Sequence, residues 1–173
     1  MKDEMGDCTA LAPCAPEAME SSRASAVEEE RVISILNKVL AAELDNVQRY
    51  KRLYFAAEIL DAQCTADEFL EHAVAKADQA GIIAARISQL GGTPNLDAEA
   101  LSSGRGAHAV ASRGLGKMIE DDLVAQKIAM ASYAETIDFL GDGDPFTRRL
   151  IERILEQEEE HASGIHYLLS GIH

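Results

Sequence analysis

The helical periodicity of this chain is clearest in its last long segment, IERILEQEEEHASGIHYLL, residues 151–169. Apolar residues recur there at spacings of three and four, which is the period of one face of an α-helix. They are Ile151, Ile154, Leu155, Ala162, Ile165 and Leu169. The segment therefore predicts a long amphipathic helix with one buried face, starting near Pro145, a residue that suits the first turn of a helix.

Three earlier segments carry the same period, and none alternates like a β-strand. They run from about Glu28 to Leu60, from about Ala66 to Leu90 and from about Lys117 to Leu140. Gly91-Gly92-Thr93-Pro94 ends the second segment. The connection from Asn95 to Gly116 is long enough to cross the length of a bundle, so the second and third helices run parallel. We therefore predict an all-α fold, an antiparallel four-helix bundle with one long crossover.

The composition favours one soluble helical domain. The chain has 173 residues, of which 47% are hydrophobic and 27% charged. Its 30 acidic and 16 basic residues give a net charge of −14, which disfavours nucleic-acid binding and attracts cations. No apolar run is long enough to span a membrane, and the acidic N-terminus does not resemble a signal peptide. We expect a cytoplasmic protein without membrane or nucleic-acid partners.

The first 26 residues lack periodicity and read as a mobile N-terminal arm, which leaves residues 27–173 for the bundle. Lys2 and Arg23 are the only basic residues of this arm, which disfavours a role in DNA binding. Cys8 and Cys14 lie in the arm at a spacing that matches no common metal site. We expect them to be ordinary reduced thiols.

One large polar residue interrupts each apolar stripe. The four are Glu43, Lys76, Gln126 and Glu158, and two of them have a partner three residues on, in Lys76-x-x-Gln79 and Glu158-x-x-His161. Four-helix bundles build di-metal sites from this layout, with a Glu from each of two helices and a Glu-x-x-His from each of the others. Carboxylates are needed because they balance the charge of two metal ions inside a core.

On these residues the chain resembles the ferritin-like superfamily, and bacterioferritin and its Dps-like relatives most closely. The resemblance is carried by LNKVLAAEL (residues 36–44), RISQLGGTPNL (residues 86–96) and ILEQEEEH (residues 154–161). It implies iron binding, Fe(II) oxidation at a di-iron centre and assembly into hollow shells. It also implies that no haem is bound, because Ala77 stands where bacterioferritin has a haem-ligating Met. Bacterioferritin's fifth helix is expected to be missing.

Against the family pattern, the predicted di-iron centre is degenerate. Glu43, Glu158 and His161 are the expected residual ligands, whereas Lys76, Gln79 and Gln126 stand where the resemblance implies Glu, His and Glu. In one interpretation, Lys76 takes the volume and charge of iron and pairs with both glutamates. In the other, one ion binds to Glu43, Glu158 and His161, and Lys76 swings aside or loses its proton. We expect one iron ion or none per bundle.

These observations predict a ferritin-like protein of iron metabolism, active in iron binding or storage, with weak or absent ferroxidase activity. The alternative is a non-catalytic scaffold or assembly subunit in which a Lys–carboxylate ion pair replaces the metals. We expect the chain to form a homo-oligomer, from a dimer to a shell. A further acidic cluster, Glu68, Glu71 and His72, avoids the apolar stripe and is predicted to lie on a solvated helix face.

Overall fold

The structure is a computed structural model that describes residues 16–97 and 111–170. Within these ranges it contains four long helices and no strand. They are α1 (Pro16–Ile59), α2 (Gln63–Gln89), α3 (Leu115–Leu140) and α4 (Pro145–Ser170). The predicted all-α class is confirmed. None of the described helices is long and apolar enough to cross a membrane.

Two apolar clusters show the direction in which each helix runs along the bundle. The first joins α1 before residue 41 to the later parts of α2 and α3 and the start of α4, through Val32, Leu36, Val39, Leu40, Ala80, Ile83, Ile87, Tyr133, Leu140, Ile151 and Ile154. The second joins the opposite parts of the four helices, including Tyr50, Leu53, Ala56, Ala57, Ala66, Phe69, Ala73, Met118, Ile119 and Ile165. Helices α2 and α3 therefore run parallel, and each hairpin is antiparallel, as the crossover predicts.

Helix α1 packs chiefly on α2, and α3 packs chiefly on α4. At the end of α2, Gly91 adopts φ +78° and Gly92 donates its N–H to the carbonyl of Ile87 at 2.9 Å. This left-handed residue stops the helix, as the Gly-Gly-Thr-Pro run predicts. The Arg86 guanidinium donates to both carboxylate oxygens of Asp144, at 3.0 and 3.1 Å, and ties the end of α2 to the turn between α3 and α4.

Helix α1 begins at Pro16, well before the predicted start near Glu28. Pro suits the first helical position, and the Ala, Glu and Met that follow are good helix formers. The segment has no apolar stripe, and apolar periodicity in a sequence predicts a buried helix face, not helicity itself. Residues 16–26 of the expected arm are thus helical, whereas residues 1–15, including Cys8 and Cys14, and most of the crossover lie outside the described residues.

Candidate metal centre and its ion pair

A polar layer separates the two apolar clusters at the middle of the bundle. Its buried side chains are Glu43 from α1, His72, Lys76 and Gln79 from α2, Asp122 and Gln126 from α3, and Glu158 from α4. Five of these seven are positions that the interrupted stripes single out. His161 lies at the edge of the layer, with 27% of its side chain exposed.

Lys76 lies at the centre of this layer and forms ion pairs with two glutamates. Its ammonium nitrogen lies 2.7 Å from Oε2 of Glu158 and 3.1 Å from Oε2 of Glu43, and all three side chains are at most 1% exposed. The Tyr133 hydroxyl donates to Oε1 of Glu43 from the other side, and the ammonium lies 5.6 Å from the centre of the Tyr133 ring. One cation from α2 thus bridges carboxylates from α1 and α4.

The pKa values of the Glu43 and Glu158 carboxyls are shifted in opposite directions. Burial raises the pKa of Glu43, because it outweighs the opposing effects of Lys76 and Tyr133. Burial also opposes ionisation of Glu158, but the neighbouring His161 and Lys76 outweigh it and lower the pKa of Glu158 to about 2. Glu158 is therefore the firmly ionised partner of Lys76 at neutral pH.

The two glutamines have separate roles. The Gln79 amide donates to Oε1 of Glu158 at 3.3 Å and so supports the charged carboxylate. The Gln126 amide donates instead to the Tyr50 hydroxyl at 2.8 Å. Tyr50 in turn donates to Oδ2 of Asp122 at 3.4 Å. Gln126 thus belongs to a second network, in the same layer but outside the Lys76 ion pair.

That second network reaches the protein surface through Arg49, whose guanidinium donates to Oδ1 of the buried Asp122. Burial raises the pKa of Asp122 even though Arg49 acts in the opposite direction. None of Arg49, Asp122 and Tyr133 is among the predicted site residues. Asp122 precedes Gln126 by one helical turn, and that spacing was the available signal that it faces the bundle interior.

His72 contradicts its predicted place on a solvated face. It is 2% exposed, its ring stacks on Tyr50 with centroids 5.1 Å apart, and it meets the ring of His161 edge-on at 4.3 Å. Burial and the neighbouring His161 lower its pKa to about 4, so the imidazole is neutral at pH 7. His72 lies one helical turn before Lys76 and shares its buried face, whereas Glu71 is exposed as predicted.

The comparisons with known proteins agree with this architecture. The family described as "Ferritin: Ferritin-like domain" matches residues 33–172. The chain belongs to the ferritin-like family. Bacterioferritin of Desulfovibrio desulfuricans (strain ATCC 27774 / DSM 6949 / MB) is 27% identical to it over 132 residues, covering 76% of this chain and 70% of that protein.

Two solved bacterioferritin structures resemble this ferritin-like chain. The D. desulfuricans protein, described with a diiron site in different catalytic states, superposes with a TM-score of 0.73 and 26% identity over 83% of this chain and 81% of its own. The Rhodobacter capsulatus protein, described with a metal-free dinuclear site and haem iron, gives a TM-score of 0.72 and 26% identity over 82% and 84%.

In this ferritin-like chain the candidate ligands are close but not assembled. Glu43 and Glu158 both contact Lys76, and Nδ1 of His161 lies 3.7 Å from Oε1 of Glu158, beyond hydrogen-bond distance. Across residues 16–97 and 111–170, no three His, Cys, Asp or Glu side chains are placed together so as to hold a metal ion. The centre of the bundle is therefore organised around an ammonium ion.

Proposed function

We propose that this chain is a ferritin-like iron-storage subunit that handles iron as cargo and has weak or absent ferroxidase activity. In this proposal the Lys76 ion pair stands in place of a di-iron centre. The observation that carries it is the position of the Lys76 ammonium between Glu43 and Glu158, within 3.1 Å of a carboxylate oxygen of each.

The residues at the centre do not fit a pair of metal ions. An ammonium group has three donors and no acceptor, so the charged Lys76 cannot act as a ligand. Two carboxylates and one ammonium carry a formal charge of about −1, far short of what two divalent cations need in a low-dielectric core. Gln79 and Gln126 add only neutral amides, which do not correct the deficit.

Iron as cargo needs acidic surface, and the chain has an excess of it. The net charge of −14 attracts cations to the outside of the bundle without any buried ligand set. Large apolar residues are also exposed on α1 and α2, and they favour a homo-oligomer, from a dimer to a shell. They include Phe55, Ile59, Leu70, Val74 and Ile82.

A second candidate function rests on the same ion pair. The Lys76 ion pair joins α1, α2 and α4 without any metal ion, so the chain also suits a scaffold or assembly subunit without iron. A single ion on Glu43, Glu158 and His161 is the third possibility, and it requires Lys76 to swing aside or to lose its proton.

Aerobic Fe(II) addition separates these functions. We expect oxidation at the rate of protein-free buffer, followed by co-elution of iron with the protein on gel filtration. The matched control is Lys76→Glu combined with Gln79→His and Gln126→Glu, which restores the family's ligand types and is expected to speed oxidation. Rapid oxidation by the parent would contradict the proposal. Elution of the protein without iron would contradict iron storage and favour the scaffold function.

A further inference from the structure

We infer that the outer face of α4 docks a second copy of this chain, with the two α4 helices antiparallel about a two-fold axis. The outer face is a row of exposed side chains that recur at alternating spacings of three and four residues, the spacing of a helix–helix seam. They are Phe146, Arg149, Arg153, Glu156, Glu160, Ser163 and Tyr167. The inference deepens the proposed function and rests on its homo-oligomer, for which it names a contact surface separate from the exposed apolar residues of α1 and α2.

Opposite charges occupy the two halves of this outer face. Arg149 and Arg153 lie in its N-terminal half, Glu156 and Glu160 lie in its C-terminal half, and all four side chains are exposed. Like charges four residues apart on a helix repel each other, and cations near the start of a helix oppose its dipole. The pattern is therefore unfavourable within one helix, and opposite charges from another molecule would compensate it.

The described part of the chain supplies no ionic partner for these four charges. Arg149 donates its Nε–H to the backbone carbonyl of Pro145 at 3.2 Å, and the ion pairs on the surface of α4 use other side chains, such as Arg148 with Glu152 at 2.9 Å. Two neighbouring arginines are thus left without a carboxylate in a chain whose net charge is −14. They are free to pair with carboxylates of another molecule.

The order of the charges along the outer face is self-complementary in the antiparallel direction. With the two-fold axis between positions 154 and 155, Arg149 lies opposite Glu160 of the second copy. Arg153 lies opposite Glu156 of the second copy, because both pairs are centred on the same point of the helix. The axis repeats each pair, so four Arg–Glu pairs form along about 16 Å of helix. Parallel helices in register would instead bring like charges together.

The same register places an exposed aromatic ring opposite small residues. Phe146 is 61% exposed and lies opposite Ser163 and Gly164 of the second copy, whose small side chains leave space for the ring. Beside Phe146, a groove of about 490 Å³ runs between α2 and α4, and none of its described lining residues is acidic. The groove is lined by both arginines and by the apolar side chains of Ile82, Phe146, Leu150 and Ile154. It therefore suits the glutamate-bearing half of a second α4.

Sedimentation velocity of the full chain over a range of concentrations at low salt tests this surface. We expect Arg149→Glu and Glu160→Arg each to weaken self-association by about tenfold, because each reversal makes two attractive pairs repulsive. The double variant with both reversals should associate like the parent. Its two positions lie about 16 Å apart on one helix, so they cannot compensate each other within one chain.

Two further samples make the test specific. An equimolar mixture of the two single variants should also associate like the parent, because each chain then offers the charge that the other needs. The matched control, Lys127→Glu, reverses an exposed charge on α3 and is expected to leave association unchanged. Circular dichroism checks that all variants fold, and added salt should weaken the association of the parent, because exposed ion pairs are screened.

Three outcomes would overturn the inference. The first is a parent that stays monomeric at low salt, which would leave the outer face to a different acidic partner. The second is unchanged association of both single variants. The third is a double variant that associates no better than either single one. Iron retention on gel filtration is measured separately, so failed charge reversal in a chain that still associates and retains iron counts against this surface alone. Restored pairing without iron uptake counts against iron storage alone.

Discussion

Replacing Lys76 with methionine removes the charge at the centre of the bundle and keeps much of the side-chain volume. Glu43 and Glu158 then remain buried without their cation, and each keeps a single hydrogen bond from a neutral neighbour, Tyr133 and Gln79 respectively. We expect the variant to be strongly destabilised, because two like charges are left in a low-dielectric layer without a counter-charge.

The structure sets the size of this effect. The ammonium lies 2.7 and 3.1 Å from its two partners, and at an effective dielectric constant of about 20 two unit charges at about 3 Å attract by roughly 5–6 kcal/mol. Desolvation of the three groups offsets much of that attraction. Breaking a buried ion pair by removing one partner costs about 3–5 kcal/mol, and we expect a loss in unfolding free energy of that order.

The pH dependence distinguishes lost charge compensation from lost packing. In Lys76→Met, burial and mutual repulsion favour the protonated carboxyls in the folded state, so protonation relieves the defect. The variant should therefore approach the parent in stability as the pH falls from 8 toward 5, and the difference should grow again as the pH rises. A packing defect would show no such trend.

Urea unfolding followed by circular dichroism, at fixed protein concentration, measures both effects. Lys127→Met is the matched control, because Lys127 is exposed on α3, and we expect its unfolding free energy to stay within about 0.5 kcal/mol of the parent. Equal stability of Lys76→Met and the parent at pH 8, or a difference that does not change with pH, would show that Lys76 does not compensate the charge of the two buried carboxylates.

Three further predictions concern the polar layer and the ends of α2 and α3. The triple variant Lys76→Glu, Gln79→His and Gln126→Glu should bind metal, and without metal it should melt at a lower temperature than the parent. Scanning calorimetry with and without Fe(II) measures both effects. A metal-free variant as stable as the parent would contradict the counter-charge role of Lys76. Burial opposes ionisation of Asp144, but its hydrogen bonds and guanidinium partner lower its pKa, so Asp144→Asn should cost about 1–3 kcal/mol near neutral pH. The contribution of Asp144 to the unfolding free energy is present above pH 3.8, the ordinary pKa of an Asp carboxyl. It is lost as the pH falls below that value, so the acid-unfolding curves of parent and variant should converge at low pH. Gly91→Ala places a side chain at φ +78° and should lower stability in urea by about 1–2 kcal/mol; an unchanged midpoint would show that the turn relaxes.

The four helices were predictable because each buries one face that is apolar over many turns, apart from the polar layer. A stripe such as Ile151, Ile154 and Ile165 on α4 leaves few alternatives to a helix. The start of α1 was missed because residues 16–26 carry no such stripe, so only helix propensity and Pro16 marked it. The direction of the helices followed from the length of the crossover, which depends on chain connectivity and needs no knowledge of side-chain contacts.

The polar layer was predictable only in outline. Helical spacing identifies which residues share a face, and the structure places Glu43, Lys76 and Glu158 together in the interior. Spacing does not tell which neighbour a side chain bonds, so the attachment of Gln126 to Tyr50 could not be derived from the sequence. His72 was misread because two acidic neighbours suggested a solvated face, although its spacing of four residues from Lys76 places it on the buried one.

In the proposed function, the ammonium ion of Lys76 takes the place of the di-iron pair. An anomalous-difference map from crystals grown anaerobically with excess Fe(II) tests it most directly. We predict Lys76 between Glu43 and Glu158 with no anomalous peak there. Two peaks between Glu43 and Glu158, with Lys76 displaced, would contradict it.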